Sequence, residues 1–289
     1  MFKQLTTCVL VMLLAACGQQ ESQPKVFTFT AIPDQDEARL IERFGKVADY
    51  LTEKLGVPVE YVPVKSYPAA VTAFKNNEVQ LAWFCGLTGV QARRLVPDSH
   101  AIAQGYEDQF FVSYFIAHKS TGLELSDSLP EIIAGKSFTF GSKGSTSGRL
   151  MPEFYLRETF GKAPEEIFSR VGFSGDHSAT IALVQSGAYE IGAVNYKVWE
   201  DELAQGKINN DDVRVIYKTP DYVDYHWVIR GDVDAQWGEG FSETVRNTLL
   251  AIDDPEILAA FPRERFVNAT DDNYIAIEET AQSIGLLDE

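Results

Sequence analysis

Residues 26–30 (Val-Phe-Thr-Phe-Thr) alternate apolar and polar side chains, the period of a strand. Leu40, Phe44, Val47, Ala48, Leu51 and Leu55 then recur at helical spacing, and Gly56 ends that run. The stretch 57–64 reads as a second strand with Pro58 and Pro63 near its ends. Ser66 can cap a helix from Pro68 to about Asn76. Residues 79–84 form a third strand and 88–95 a short helix. The second half repeats the rhythm, with strands at 136–140, 171–173, 191–194 and 213–217 and helices at 147–160, 177–186 and 196–204. Strands alternating with helices predict parallel sheets covered on both faces. Two such runs predict two α/β lobes. The extended stretches 110–118 and 224–230 predict the crossovers between them. The tail reads as helices only, around 241–252, 255–260 and 274–284, and is expected to pack back on the first lobe. The cleft between the lobes is then the binding site, with ligand beyond the carboxyl ends of the strands.

One loop stands at such a strand end. Residues 141–152 read GSKGSTSGRLMP: glycines and hydroxyl side chains between the strand at 136–140 and a helix. A helix start exposes unpaired N–H groups and a partial positive charge. Ser145, Thr146 and Ser147 add hydroxyl donors, and Gly144 lets the backbone come close to a ligand. The combination describes an anion site that needs no cationic side chain. The plain alternative is a turn in which Ser147 is only an N-cap. A P-loop is excluded, since no lysine follows Gly148. A nucleophile elbow is excluded too, because Thr146 stands at the centre of Gly-Ser-Thr-Ser-Gly. His177 begins a helix one βα unit later, where a ring nitrogen can donate; alone it could equally be a packed or capping histidine.

Composition narrows the partners. Formal net charge is −17, from 25 basic and 42 acidic residues, which argues against nucleic acid but not against a small anion. Residues 1–16 read as a signal peptide with Lys3 at its charged end. Leu14-Ala15-Ala16-Cys17 resembles a bacterial lipobox, which makes Cys17 the lipidated residue and 17–25 a tether. Cys8 leaves with the signal, so Cys85 is the one thiol left and no internal disulfide is expected. Following Trp83-Phe84, it reads as a small buried filler rather than a nucleophile.

Several phrases resemble one family. They are Ser145-Thr146-Ser147-Gly148 with Pro152 following, Val79-Gln80-Leu81-Ala82-Trp83, Ser66-Tyr67 opening a helix, Gly175-Asp176-His177, Gly192-Ala193-Val194-Asn195, and DYHWVIRGD from Asp224 to Asp232. In order and spacing the chain resembles the phosphate/phosphite/phosphonate-binding lipoproteins of ABC importers. The resemblance implies a type II periplasmic-binding-protein fold: two α/β lobes, two crossover strands and a cleft. It implies lobe 1 at 26–117 plus 225–289 and lobe 2 at 118–224. It also implies that Ser145, Thr146 and Ser147 hold the ligand's oxygens, that His177 completes the cage, and that Tyr67 closes from the opposite lobe, with the neighbourhood of Trp83 to Thr88 contributing.

Departures are visible. Relatives that take aminoalkyl phosphonates carry an acid near Asn195, where this chain has a neutral amide. Asp224 matches an acid at the second crossover. A carboxylate repels a dianion, so Asp224 suits a ligand that brings its own donor, such as a P–OH group. The phrases "LAWFCGLTGVQAR" and "YKTPDYVDYHWVIRGD" resemble most a branch assigned to selenium oxyanions. The resemblance thus implies a monomeric, lipid-anchored binding component on the periplasmic face of a bacterial membrane. It would hand a small oxyanion to a permease and its ATPase, with no cofactor or metal and no chemistry of its own. The competing reading is a phosphoester or acyl hydrolase using Ser145, His177 and Asp224.

Overall fold

The computed structural model describes residues 25–288. The expected signal segment, Cys17 and the tether to residue 24 lie outside them. In chain order the elements are β1 (Phe27–Ala31), α1 (Glu37–Leu55), β2 (Val59–Tyr61), α2 (Tyr67–Lys75), β3 (Leu81–Phe84), α3 (Gly86–Leu95) and β4 (His100–Gly105). Then come β5 (Ser113–His118), β6 (Ser137–Phe140), α4 (Met151–Phe160), α5 (Pro164–Ile167), β7 (Arg170–Phe173), α6 (His177–Gln185), β8 (Ile191–Asn195), α7 (Tyr196–Ala204) and β9 (Val213–Lys218). The tail adds β10 (His226–Ile229), α8 (Val233–Trp237), α9 (Phe241–Leu250), α10 (Pro255–Leu258), β11 (Phe266–Asn268) and α11 (Ile275–Ser283).

The strands form two sheets among the described residues, ordered β11-β4-β10-β3-β1-β2 and β7-β6-β8-β5-β9. Each sheet is the floor of one lobe. They are mixed rather than purely parallel. β1 runs parallel to β2 and β3, and β6 parallel to β7 and β8. β10 is antiparallel to β3 and β4, and β5 antiparallel to β8 and β9. The reason is connectivity: β5 and β10 each enter a sheet from the other lobe, so they arrive against the direction set by the βα units.

Sheet membership also moves one boundary. The expected lobe border at 117/118 falls inside β5, yet Ser113–Ala117 pairs along its length with β8 of the second sheet. The passage between sheets is residues 106–112 on the way out and 219–225 on the return. These two segments bond to each other: Phe111 N–H donates to Tyr222 C=O at 2.8 Å and Tyr222 N–H to Phe111 C=O at 2.9 Å. The tail is not helical throughout either. β11 pairs with β4, Phe266 opposite Gly105. Three residues are too few to display a period, so that strand is defined by the edge it finds.

Packing follows the patterns that predict the elements. Asp36 caps α1 by accepting from Arg39 N–H, Gly56 ends it in the left-handed region, and Leu40, Phe44, Val47, Ala48 and Leu51 are its buried face. Along β5 the side chains alternate: Phe115 and Ala117 enter one core of the second lobe, Tyr114 and Ile116 the other. Trp83 and Trp227 lie in the core of the first lobe, their rings 5.4 Å apart.

Candidate functional site

The loop after β6 turns through Ser142–Ser145 into one π turn, Thr146–Leu150, that runs on into α4. The cap is Ser145, not Ser147: its Oγ accepts from Gly148 N–H at 2.9 Å. Ser147 is thereby left with a hydroxyl that faces inward, fully buried and without a hydrogen-bond partner. One βα unit later, Asp176 caps α6 by accepting from Ala179 N–H at 2.7 Å, which sets His177 in the first turn. The two starts meet. A Cβ on Gly148 would stand 2.9 Å from His177 Cε1 and 3.0 Å from Ser145 Oγ, so glycine is needed for this approach.

The ring of His177 has a determined tautomer. Nδ1 accepts the N–H of Asn195 at 3.2 Å, so it carries a lone pair. The proton of the neutral ring is then on Nε2, a buried donor with no partner. Burial pushes the imidazole down to about pKa 3, so the ring is neutral at any physiological pH.

The first lobe supplies the opposite wall. Ser66 caps α2 by accepting from Ala69 N–H, which puts Tyr67 at the first helical position. Its phenol lies beside Ser145 but bonds to nothing. Asp224, at the return passage, accepts Gly86 N–H on Oδ1 at 2.9 Å, while Oδ2 is buried and unpaired. Desolvation raises this carboxyl to about pKa 7, the Gly86 bond opposing that rise. Tyr67, Thr146, Ser147, His177 and Asp224 are each 0% exposed, so the site is sealed from solvent.

Of the residues the sequence singles out, Tyr67, Ser147, His177 and Asp224 lie along the same lobe contact and each carries one buried, unpaired polar atom. Thr146 and Asn195 are present but engaged elsewhere. Thr146 Oγ1 accepts Leu87 N–H from α3 at 2.9 Å and lies against Asp224. Asn195 Oδ1 caps α7 by accepting from Lys197 and Val198, and its amide donates to the Tyr225 hydroxyl at 3.1 Å. Gly144 is a packing position: a Cβ there would stand 3.3 Å from Tyr67 Cβ and Thr88 Cγ2 in the other lobe.

Sequence reasoning misses Asp34 altogether. It sits just after β1, a strand-end loop in the same sense as Ser145 and His177, and that position is the signal that could have flagged it. Its carbonyl accepts His177 N–H at 3.1 Å across the cleft, and its carboxylate accepts the Tyr225 hydroxyl at 2.8 Å. Burial raises its pKa to about 6, with the Tyr225 bond opposing. Gly86 and Leu87, whose N–H groups cap the site at the start of α3, fall in the 83–88 neighbourhood already expected. Cys85 is buried, donates across the cleft to Gly144 C=O at 3.4 Å, and is pushed up by burial to about pKa 11. It is a filler at the lobe contact, with no sign of a nucleophile's activation.

The lobes are therefore closed on one another, with three donors and one acceptor left buried and unpaired along their contact. Behind the site, between Asp34, Asn195, Tyr225 and Arg263, is a cavity of ≈20 Å³, enough for one water. A groove of ≈520 Å³, on the outer side of Gly144 between Pro68, Lys143 and Arg149, is open surface at the edge of the cleft and is lined by none of the four residues with unpaired atoms.

The family profile described as "ABC transporter, phosphonate, periplasmic substrate-binding protein" matches residues 29–274. A protein of Prochlorococcus marinus (strain MIT 9301), called a probable ABC transporter phosphite binding protein PhnD1, is 41% identical over 270 residues, spanning 91% of each chain. The crystal structure of PhnD1 from that organism in complex with methylphosphonate superposes with a TM-score of 0.86 at 40% identity, covering 92% of this chain and all of the other. A binding component of an ABC phosphonate transporter from Pseudomonas aeruginosa shares the fold, with TM-score 0.77 at 20% identity over 90% and 87% of the two chains.

Proposed function

The chain belongs to the phosphonate-binding periplasmic substrate-binding proteins of ABC transporters, and from that premise we propose that its cleft takes a small tetrahedral phosphorus oxyanion carrying one proton. It is the solute-binding component of an importer of the phosphonate, phosphite and phosphate class, a binding protein rather than an enzyme. The observation that carries the finer reading is the set of four buried, unpaired polar atoms. Ser147 Oγ, His177 Nε2 and Tyr67 OH are donors, and Asp224 Oδ2 is an acceptor when ionised. A buried polar group without a partner costs roughly 1–3 kcal/mol, so four along one lobe contact favour a ligand that satisfies all of them. Donors from both lobes would hold two oxyanion oxygens, and Asp224 would accept the P–OH proton of a third.

Sequence and structural kinship to a phosphite-binding protein and to its methylphosphonate complex supports a ligand of that size. Selenate and sulfate bring no proton of their own, so they can pair only with the protonated Asp224 carboxyl, whereas a phosphorus oxyanion can also bind as its monoanion to the carboxylate. The hydrolase alternative is set aside on family grounds. His177 donates from Nε2 rather than accepting there, so it is in no state to act as a base toward a serine in the site. The lipid anchor on Cys17, the monomeric state and the assignment of 26–112 plus 225–289 and 113–224 to the two lobes belong to the same proposal.

Isothermal titration against phosphite, methylphosphonate, phosphate, sulfate and selenate at pH 7 tests it. The phosphorus oxyanions are expected to bind, and sulfate and selenate, which can use only the protonated fraction of Asp224, to bind more weakly. No binding by any phosphorus oxyanion, or selenate matching phosphite, would overturn the reading.

A further inference from the structure

Outside the ligand site the lobes are joined at a second place. Arg39 and Arg43 are one helical turn apart on α1, so both guanidinium groups leave the same face. That face is not the core face, which carries Leu40, Phe44 and Val47. Both arginines reach Asp201 of α7 in the other lobe, Arg39 Nη2 at 2.5 Å and Arg43 Nη2 at 3.3 Å from the same Oδ2. The second carboxylate oxygen accepts from Gln205 Nε2 at 2.7 Å. Gln35, in the β1–α1 loop, orders the arginines by accepting from Arg39 at 3.3 Å and Arg43 at 3.4 Å. Side-chain exposures of 19, 17 and 24% for Arg39, Arg43 and Asp201 place the cluster half inside the lobe contact, where screening is weaker than on open surface.

We propose that Asp201, clamped by Arg39 and Arg43, is a closure latch that sets how long a bound anion is retained. It rests on the reading that the ligand occupies the sealed cleft. None of the three touches the four ligand-facing atoms, so they act on binding only through the lobe equilibrium and are positioning residues. The latch exists only with the lobes shut, because α1 and α7 belong to different sheets and share no other ion pair among the described residues. Ligand enters the open form before the latch engages. Loss of the latch therefore speeds release and leaves capture almost unchanged. The loop connects the two devices: Asp34, one residue before Gln35, gives its carbonyl to His177 N–H. Shutting the latch and seating His177 are thus one movement.

The test is Asp201→Asn, which keeps size and the Gln205 contact but removes the charge, together with Arg39→Met/Arg43→Met and the triple variant. Stopped-flow binding of phosphite should give koff raised about 3- to 10-fold by Asp201→Asn, with kon within about twofold, in keeping with a half-buried ion pair. The double and triple variants should equal Asp201→Asn rather than add to it, the mark of one interaction. Raised salt should speed release from the wild type and not from the variants. In parallel, distances between labels on the two lobes should spread to longer values in ligand-free Asp201→Asn than in the wild type. Unchanged koff together with an unchanged distance distribution, or fully additive variants, overturns the latch. If the wild type binds no phosphite, the ligand reading fails instead, and the distance measurement still decides the latch.

Discussion

Replacing Asp224 by asparagine removes one charge from the sealed cleft while keeping the acceptor for Gly86 N–H, which the amide oxygen inherits at the 2.9 Å position. In the wild type the carboxyl titrates at about pKa 7, raised by burial. A small phosphorus oxyanion of this class loses its last acidic proton close to neutral pH. Above both values carboxylate and dianion face each other, so complex formation must take up one proton for the pair. Affinity then falls about tenfold per pH unit, or roughly 100-fold from pH 7.5 to 9.5. No other group facing the ligand titrates in that window. His177 is neutral above about pKa 3, Asp34 ionises near about 6, and burial holds the Tyr67 phenol well above its ordinary value and Cys85 near about 11. Asp224→Asn offers an N–H where the wild type offers Oδ2. It should bind the dianion with no slope above pH 7.5. At pH 6 it should be weaker than the wild type by about 10- to 150-fold, the 1.5–3 kcal/mol of a charge-assisted hydrogen bond. Titration calorimetry in buffers of different ionisation enthalpy reads the proton directly: one taken up at pH 8.5 by the wild type, none by the variant. A flat wild-type profile, or the same slope in the variant, refutes the shared-proton reasoning.

The same residue governs stability without ligand. Its folded pKa is raised, so stability present below the unfolded value near 3.8 is lost as pH climbs through about 7. Asp224→Asn should therefore melt several degrees higher at pH 8 and no higher at pH 3.5, as scanning calorimetry will read. Ser147→Ala removes a hydroxyl that bonds to nothing in the protein. Affinity should drop about 10- to 100-fold while the Tm of the ligand-free protein rises by a few degrees, because the unpaired hydroxyl is itself destabilising. Gly148→Ala drives a methyl to 2.9 Å from His177 Cε1; phosphite titration should show affinity down on the order of tenfold, and a crystal structure a displaced ring. Asp108→Asn breaks the buried pair with Arg263, bonded at 2.7 and 2.8 Å beside the outgoing passage. Urea unfolding should register a loss of about 3–5 kcal/mol. Cys85, buried and with its thiol pKa raised, should escape alkylation at pH 8 until the protein is unfolded, as peptide mass spectrometry will read.

Read along the chain, the periods that mark β1, α1 and the βα units of the second lobe suffice for two α/β lobes, because each element declares the face it must bury. α7 is predicted to the residue at both ends, and α6 at its start and to within one residue at its end. Local pattern also singles out the loop of Ser145 to Ser147 and His177, which the structure brings against each other at Gly148. Tertiary structure decided what no window of sequence contains. The direction of β5 and β10 depends on which lobe the chain arrives from. The existence of β11 depends on the edge of β4. Most of all, four hydroxyl and amide side chains that look equivalent in sequence were divided by their neighbours: Ser145 caps, Thr146 and Asn195 bond across the fold, and Ser147 is left facing inward. Which polar atom remains unpaired is a property of the whole set of partners, and those partners come from both lobes.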